Sequence, residues 1–504
     1  MATYQSVLSK VFAATLPSSK ARAKADQLAG QVVDFERAMS AIVPSSEDNS
    51  DVTKYYNSMS LAEADKLAPS LGLQHVITTL LPPDAEHDRM VVSFPDLIKK
   101  VEGIVKATSR ETIQAYLVWF VLSTIYSTVI APEVEPVRVF FNEFYGRDPT
   151  AFPERWRTCQ DGVSNRHTIG WILGRFYANK YFSGNSLELA KSIVAYMKTQ
   201  YANSIKSLPW LDAPVRAYAL KKLDAVDALL GFPEKLPVNL SDPEAVRAFY
   251  APVKMGDSYF NNTLALARFG NGRRWAAMNT PWDRDEFQMT PQTVNAYGDP
   301  RSNQIAFPAA FLQPPYFHKD LPAFMNFAVM GFTVGHEISH NFDVNGRNYD
   351  VNGAFGDSWW TNKTNAEFAA RAQCFVDQYN NFTVPNRDGT PLHVDGRMTL
   401  SENIADAGGV DTSFQAWKRY VADRTPGGVD ATLPGLEAYS HDQLFFVAYA
   451  NGFCTSATPN GLIEQVSGDS HSPGRFRVTG PLMNSRHFRE TFGCASKEPT
   501  CKIW

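Results

Sequence analysis

The chain has 504 residues, 44% of them apolar and 12% aromatic, with 31 Gly and 31 Pro, which excludes a disordered or fibrous protein. At about 150 residues per domain it is too long for one core. A net charge of -4 and a pI near 6.2 exclude a bulk attraction to nucleic acid or to anionic lipid.

The N-terminal stretch MATYQSVLSKVFAATLPSSKARAKAD carries polar residues throughout and has no apolar core of signal-peptide length. Helical text follows. The segment Phe94 to Val105 sets Leu97, Ile98, Val101, Ile104 and Val105 on one 3.6-period face, and Thr108 with Glu111 reads as a capping box for the next helix. The longest apolar run, YLVWFVLSTIYSTVIA at 116–131, holds four Ser/Thr and stops at Pro132. It is short of the ~20 residues a bilayer needs and is expected to be a buried helix. NSLELAKSIVAYMKTQY and DAPVRAYALKKLDAVDALLG are further helices, the second ended by Gly231 and Pro233.

Between about 266 and 290, FGNGRRWAAMNTPWDRDEF loses any steady period, and a domain boundary is placed there, giving domains 1–270 and 271–504. VNAYG and QIAFPAAFL then read as short strands. No internal repeat or low-complexity tract is present.

GHEISHNF, at 335–342, sets His336 and His340 one helical turn apart on one face, so that both imidazoles converge on a point. Glu337 projects about 100° around the helix from His336, within reach of a water at that point but not placed as a ligand. H-E-x-x-H is the zinc metallopeptidase signature for that reason, and its chance expectation at this composition is on the order of 0.01 per chain. A catalytic zinc site takes three protein ligands and leaves one position open. SENIADAGG, at 401–409, offers Glu402 as the third ligand and Asp406, one turn on, to accept the outer N–H of a ligating imidazole. Two solvated helix carboxylates would show the same spacing, which alone does not decide between them.

VNAYG, NQIAFPAAFLQPPYF, GHEISHNFDVNGRNYD, SENIADAGG, HSPGRFRVTGPLMNS and the terminal CKIW together resemble the neprilysin and endothelin-converting-enzyme family of zinc metallopeptidases. RWRTC, GRFYANKYF and SLPWLDAPVRAYALKKL extend the likeness through the helical half. The resemblance implies a mainly α fold with a small β component. A helical cap domain, 1–270, would roof a thermolysin-like catalytic domain, 271–504. It implies one zinc ion held by His336, His340 and Glu402, with Glu337 as general base and Asp406 orienting a histidine. It adds His471, held by Asp469, and Arg477 as donors to the substrate oxygen. Asn295 and Ala296 would hold the substrate backbone as an added strand, and Phe311, Tyr316, Phe332 and Phe453 would wall the pocket beyond the scissile bond. For those aromatics core packing is an equal reading of the sequence.

The implied activity is zinc-dependent hydrolysis of oligopeptides on the amino side of bulky hydrophobic residues. The protein is expected to be a monomer with no nucleic-acid partner and no membrane segment in this chain.

The family's usual N-terminal cysteine-bearing segment has no match here. The resemblance pairs Cys374 with Cys501 and leaves Cys159, Cys454 and Cys494 without the partners that segment carries, which accounts for an odd count of five. An incomplete N-terminus is therefore expected, and the alternative function is a truncated, catalytically inactive peptide-binding homologue. The family suggests an extracellular or membrane-anchored setting, with which sequons at Asn239, Asn261, Asn362 and Asn381 agree, but the chain shows neither signal nor anchor. Asn341 and Gly298 stand where the family more often has Gly and an aromatic.

Overall fold

The computed structural model describes residues 1–504 except 46–47, 49–51, 86–87, 130, 183, 281–282 and 357–358. The protein is mainly α, and its described strands form three small sheets. It divides into two compact units, Met1–Gly162 with Arg247–Trp282, and Val163–Val246 with Asp283–Trp504. A single cut at 270/271 therefore does not describe it. The helical text of 163–246 belongs to the C-terminal unit because it supplies a long helix and a strand to that unit's core.

In the first unit, α1 (Ala2–Thr15) and α2 (Ala25–Ser40) bury Val7, Leu8, Val11 and Phe12 with Leu28, Val32 and Trp119. The face expected on α3 (Pro95–Ala107) is only half-buried, and its one fully buried side chain is Glu102, which accepts from Ser70 and pairs with Lys106. Next, α4 (Arg110–Ile125) is capped by Ser109, whose side chain accepts from the Thr112 N–H. The capping box at Thr108 is corrected by one residue, because the Thr108 hydroxyl bonds back to Ile104 and finishes α3. The expectation of a buried helix is also corrected: Leu117, Phe120 and Val121 are 54, 54 and 52% exposed, and only Thr112, Ala115 and Trp119 are fully buried. Ile130, in the same run, lies outside the described residues. No helix among the described residues is long and apolar enough to cross a membrane. The run beginning at Phe269 does not break the chain; Tyr259–Ala276 is one helix, while Pro281 and Trp282 lie outside the described residues.

In the second unit, α5 (Gly184–Ser207) turns Ile193, Met197 and Tyr201, spaced four apart, into the core. The helix α6 (Ala213–Asp224) stops seven residues before Gly231, and Asp227–Gly231 is strand, not helix as its pattern suggests. Two two-residue strands of the first unit, β1 (Ser58–Met59) and β2 (Met90–Val91), pair as a ribbon. The strand β3 (Asp227–Gly231) runs parallel to β5 (Gln304–Pro308), and β4 (Tyr297–Asp299) lies antiparallel on the other side of β5. The order β3-β5-β4 makes β4 an edge strand. Tertiary pairing overrides the local helical pattern of DALLG, which β5 holds along its whole length.

The helix α7 (Phe332–Ser339) packs against β4 and β5 and against the 25-residue α9 (Leu400–Arg424), which also meets α8 (Asn362–Asn380). The apolar run before α7 is not regular α-helix: Phe327–Gly331 is a π-turn, a feature common beside functional sites. The buried carboxylate of Asp430 anchors this run, accepting from the N–H groups of Ala323 and Phe324 and from the Trp417 indole.

Cys374 on α8 is bonded to Cys501, closing a separation of 127 residues, and Cys159, Cys454 and Cys494 are free. The bond ties down a tail whose Trp504 packs near Tyr201 and Phe342. A Cβ placed on Gly408 of α9 would meet the Trp504 ring at 2.6 Å. Replacing both cysteines by Ser is expected to lower stability by about 2–5 kcal/mol, as a long loop returns its entropy to the unfolded chain. Urea unfolding of the two proteins measures it, and an unchanged midpoint would contradict it.

Candidate metal centre

The centre is built where α7 crosses α9. Both helices are bare at the crossing: a Cβ on Gly335 would lie 2.9 Å from the Gly409 Cα, and one on Gly409 would lie 2.7 Å from the Phe332 carbonyl oxygen. Gly335 serves close packing against Gly409, whereas a Cβ on Gly331 would meet Phe327 of its own helical run first, at 3.1 Å. The close approach lets the side chain of Glu402 on α9 reach the histidines of α7.

His336 Nε2 and His340 Nε2 face each other at 3.1 Å. Glu402 Oε2 lies 3.2 Å from the first and 3.5 Å from the second and is buried. Ligand atoms of a tetrahedral zinc with bonds of about 2.0–2.1 Å stand about 3.3 Å apart, so the three atoms fit one face of such a tetrahedron. Glu337 is buried in the same cluster, within 4.8 Å of both imidazoles, but the oxygen that touches both Nε2 atoms belongs to Glu402.

The outer nitrogens explain why the inner ones are bare. His336 Nδ1 lies 2.8 Å from Asp406 Oδ1, and His340 Nδ1 lies 2.9 Å from Asp343 Oδ2. The His340 Nδ1 hydrogen-bonds to its carboxylate and the His336 Nδ1 stands at ion-pair distance from its own, so both rings turn Nε2 inward. Burial alone would lower both imidazole pKa values, yet the carboxylates reverse it: Asp406 and Glu402 hold His336 above its ordinary value, and Glu402 with Asp343 holds His340 well above. Burial works against the Glu402 carboxylate too, and the histidines hold it well below the usual range. The pocket therefore stabilises positive charge, as a divalent cation requires.

Asp343 is absent from the candidates that the sequence supplies. Its Oδ1 also accepts the N–H groups of Asn345 and Gly346, both at 2.8 Å, and its Oδ2 accepts from Ser401, so the carboxylate is fixed before it meets His340. Its place three residues after His340, one turn along the same face, is the signal that could have found it.

Arg477, on the helix Gly474–Asn484, holds Asp406 with two bonds, Nε to Oδ2 at 2.8 Å and Nη2 to Oδ1 at 2.7 Å. The remaining Nη1 takes no part in that pair. Burial would raise the Asp406 pKa, but Arg477 and His336 hold it below its ordinary value. His471 Nε2 lies 3.2 Å from Glu402 Oε2, and its Nδ1 lies 3.0 Å from Asp469 Oδ1. Against burial, Glu402 foremost pushes the His471 imidazole up to about 9.

These groups open on a cavity of about 450 Å³, lined by Asn295, Ala296, Phe311, Tyr316, Phe332 and Phe453 as well as by the three proposed ligands. Phe311 stacks on Tyr316 at 5.2 Å and Phe332 meets Phe453 edge-on at 5.6 Å, so two aromatic pairs line the same cavity. Asn295 and Ala296 lead into β4, whose outer edge is unpaired in the sheet.

Gly298 on β4 lies so near α7 that a Cβ there would stand 2.7 Å from the Glu337 carbonyl oxygen and 3.1 Å from His340 Cβ. An aromatic residue at this position requires the strand to stand farther off. Gly298→Ala is expected to cost about 1–3 kcal/mol of stability and at least about tenfold in peptide turnover, because β4 and α7 must part. Thermal unfolding and kcat/KM would test it together, and unchanged values of both would show that the strand yields freely.

Family models described as peptidase family M13 match residues 1–233 and 295–502. An endothelin-converting enzyme homolog of Locusta migratoria is 32% identical over 488 residues, covering 94% of this chain and 65% of its own length. Human endothelin-converting enzyme 1 is 31% identical over 481 residues, again 94% of this chain and 60% of its own. The chain thus spans somewhat under two thirds of these relatives. Among solved structures, the Mycobacterium tuberculosis zinc metalloprotease ZMP1 in complex with an inhibitor superposes with a TM-score of 0.85 at 25% identity, covering 100% of this chain and 73% of that one. PEPO from Lactobacillus rhamnosis shares the fold, with a TM-score of 0.81 at 22% identity, covering 100% and 74%.

Proposed function

Because the chain belongs to peptidase family M13, we propose that it is a zinc-dependent endopeptidase that hydrolyses oligopeptides on the amino side of bulky hydrophobic residues. The observation that carries the proposal is the convergence of His336 Nε2, His340 Nε2 and Glu402 Oε2 at 3.1–3.5 Å. Zinc held there would supply Lewis-acid polarisation of the scissile carbonyl and a water whose pKa falls towards ~7.

The chain's own groups do the rest. Glu337 takes the proton of the attacking water and delivers it to the leaving amine nitrogen. His471, held by Asp469, and Arg477, held by Asp406, donate to the developing oxyanion. The peptide adds to the open edge of β4 through Asn295 and Ala296, and its hydrophobic side chain after the scissile bond enters the wall of Phe311, Tyr316, Phe332 and Phe453. Aromatic walls favour a large side chain there, since filling the space buries apolar surface at about 25 cal/mol per Å².

An internally quenched peptide with a hydrophobic residue after the scissile bond tests this. Cleavage that a chelator abolishes and zinc restores is the expected result; folded, zinc-loaded protein that cleaves no such peptide would instead favour an inactive peptide-binding homologue.

A further inference from the structure

Lys222, on α6, is fully buried, and its ammonium donates to three backbone carbonyls: Asn341 at 2.8 Å, Gly346 at 2.8 Å and Tyr349 at 2.7 Å. Three acceptors use the whole donor capacity of an ammonium. All three belong to the chain segment that leaves the C-terminal end of α7, immediately after His340. The rings of Phe342 and Trp359, with centroids 5.6 and 5.8 Å away, close the cage.

That segment carries Asp343. Gly346 joins the two contacts: its N–H is donated to Asp343 Oδ1, and its carbonyl accepts from Lys222. The turn is drawn in tightly, since a Cβ on Gly346 would stand 1.9 Å from the His340 carbonyl oxygen. A continuous path of hydrogen bonds therefore runs from Lys222 through Gly346 and Asp343 to His340 Nδ1. We propose that Lys222 is a positioning residue for the metal centre, fixing the 341–349 turn so that Asp343 holds the His340 imidazole in its inward-facing tautomer and orientation.

Burying an ammonium is costly: it pushes the Lys222 pKa down to about 7 against the opposing pull of Asp343 and Asp350. Its three carbonyl bonds favour the charged form, and they aim that charge at the turn rather than at solvent. A pin needed only for folding could be apolar, as buried charged groups are often replaced by hydrophobic ones without loss. An ammonium differs in being directional at three points.

The inference rests on reading His336, His340 and Glu402 as zinc ligands, so the unmodified protein's zinc content is measured first. Uptake of no zinc would overturn that reading and this one with it. With zinc-loaded wild type in hand, the variants Lys222→Met, Asp343→Asn and their combination are compared by zinc loss to a chelator, by the visible spectrum of the cobalt-substituted protein, and by kcat and KM. Lys222→Met is expected to release zinc about 10–100 times faster, to shift the cobalt bands, and to lower kcat with little change in KM. Added to Asp343→Asn it should do nothing further, because both act through one path. Wild-type zinc release and cobalt bands in Lys222→Met, or losses that add in the double variant, would overturn the proposal even if Lys222→Met were less stable. Should Lys222→Met not fold, Lys222→Gln, which retains two N–H donors, carries the same comparison.

Discussion

Glu337→Gln is expected to bind one zinc per chain as the wild type does and to lose about 10²–10⁴-fold in kcat/KM. The side chain is buried beside both histidines, but the oxygen touching both Nε2 atoms belongs to Glu402, so the amide removes a base and leaves the three proposed ligands intact. Gln is nearly isosteric with Glu and cannot accept a proton at neutral pH, which separates loss of the base from loss of packing. Zinc content by atomic absorption, with kcat and KM on the same peptide, reads both halves of the expectation. Turnover within tenfold of wild type would transfer the base role to another group. A large drop in bound zinc would make Glu337 a ligand.

The parts of this centre that lie close together in the chain are legible from the amino-acid sequence. His336, Glu337 and His340 declare themselves because helical spacing converts i, i+4 into one face. Glu402 and Asp406 share that spacing, yet only the family resemblance joins them to α7; in space the joining is done by Gly335 and Gly409, whose missing side chains let the helices touch. Asp343 is local but hidden, because it lies just past the helix in text that reads as a turn. Lys222 is invisible for a different reason: its acceptors begin 119 residues away, and a lysine on a charged helix reads as solvated. The same non-locality governs DALLG, which is strand through β5, and the apolar run of α4, whose Leu117, Phe120 and Val121 remain exposed in a largely apolar stretch. Local periodicity reports which face an element has, not what covers it.

Asp406→Ala is expected to weaken zinc binding about 10–100-fold and, separately, to destabilise the apo-protein by about 3–5 kcal/mol. The two effects have different partners. Zinc affinity falls because His336 loses the carboxylate 2.8 Å from its Nδ1, so neither its tautomer nor its ring orientation remains fixed. Stability falls because Arg477, whose guanidinium makes both of its bonds to Asp406, is left largely buried without the carboxylate that it grips. Removing both members should therefore recover part of the stability but none of the zinc affinity. The double variant Asp406→Ala with Arg477→Met is expected to unfold at a higher urea concentration than Asp406→Ala alone while releasing zinc just as fast. Arg477→Met by itself should retain zinc, because Asp406 still faces His336, and should lose turnover through the missing donor to the oxyanion. If the double variant were no more stable than Asp406→Ala, the cost would lie in the cavity left on α9 rather than in the stranded guanidinium. If Arg477→Met lost zinc as readily as Asp406→Ala, the arginine would be needed to aim the carboxylate at His336, and its role in turnover would have to be judged only at saturating metal.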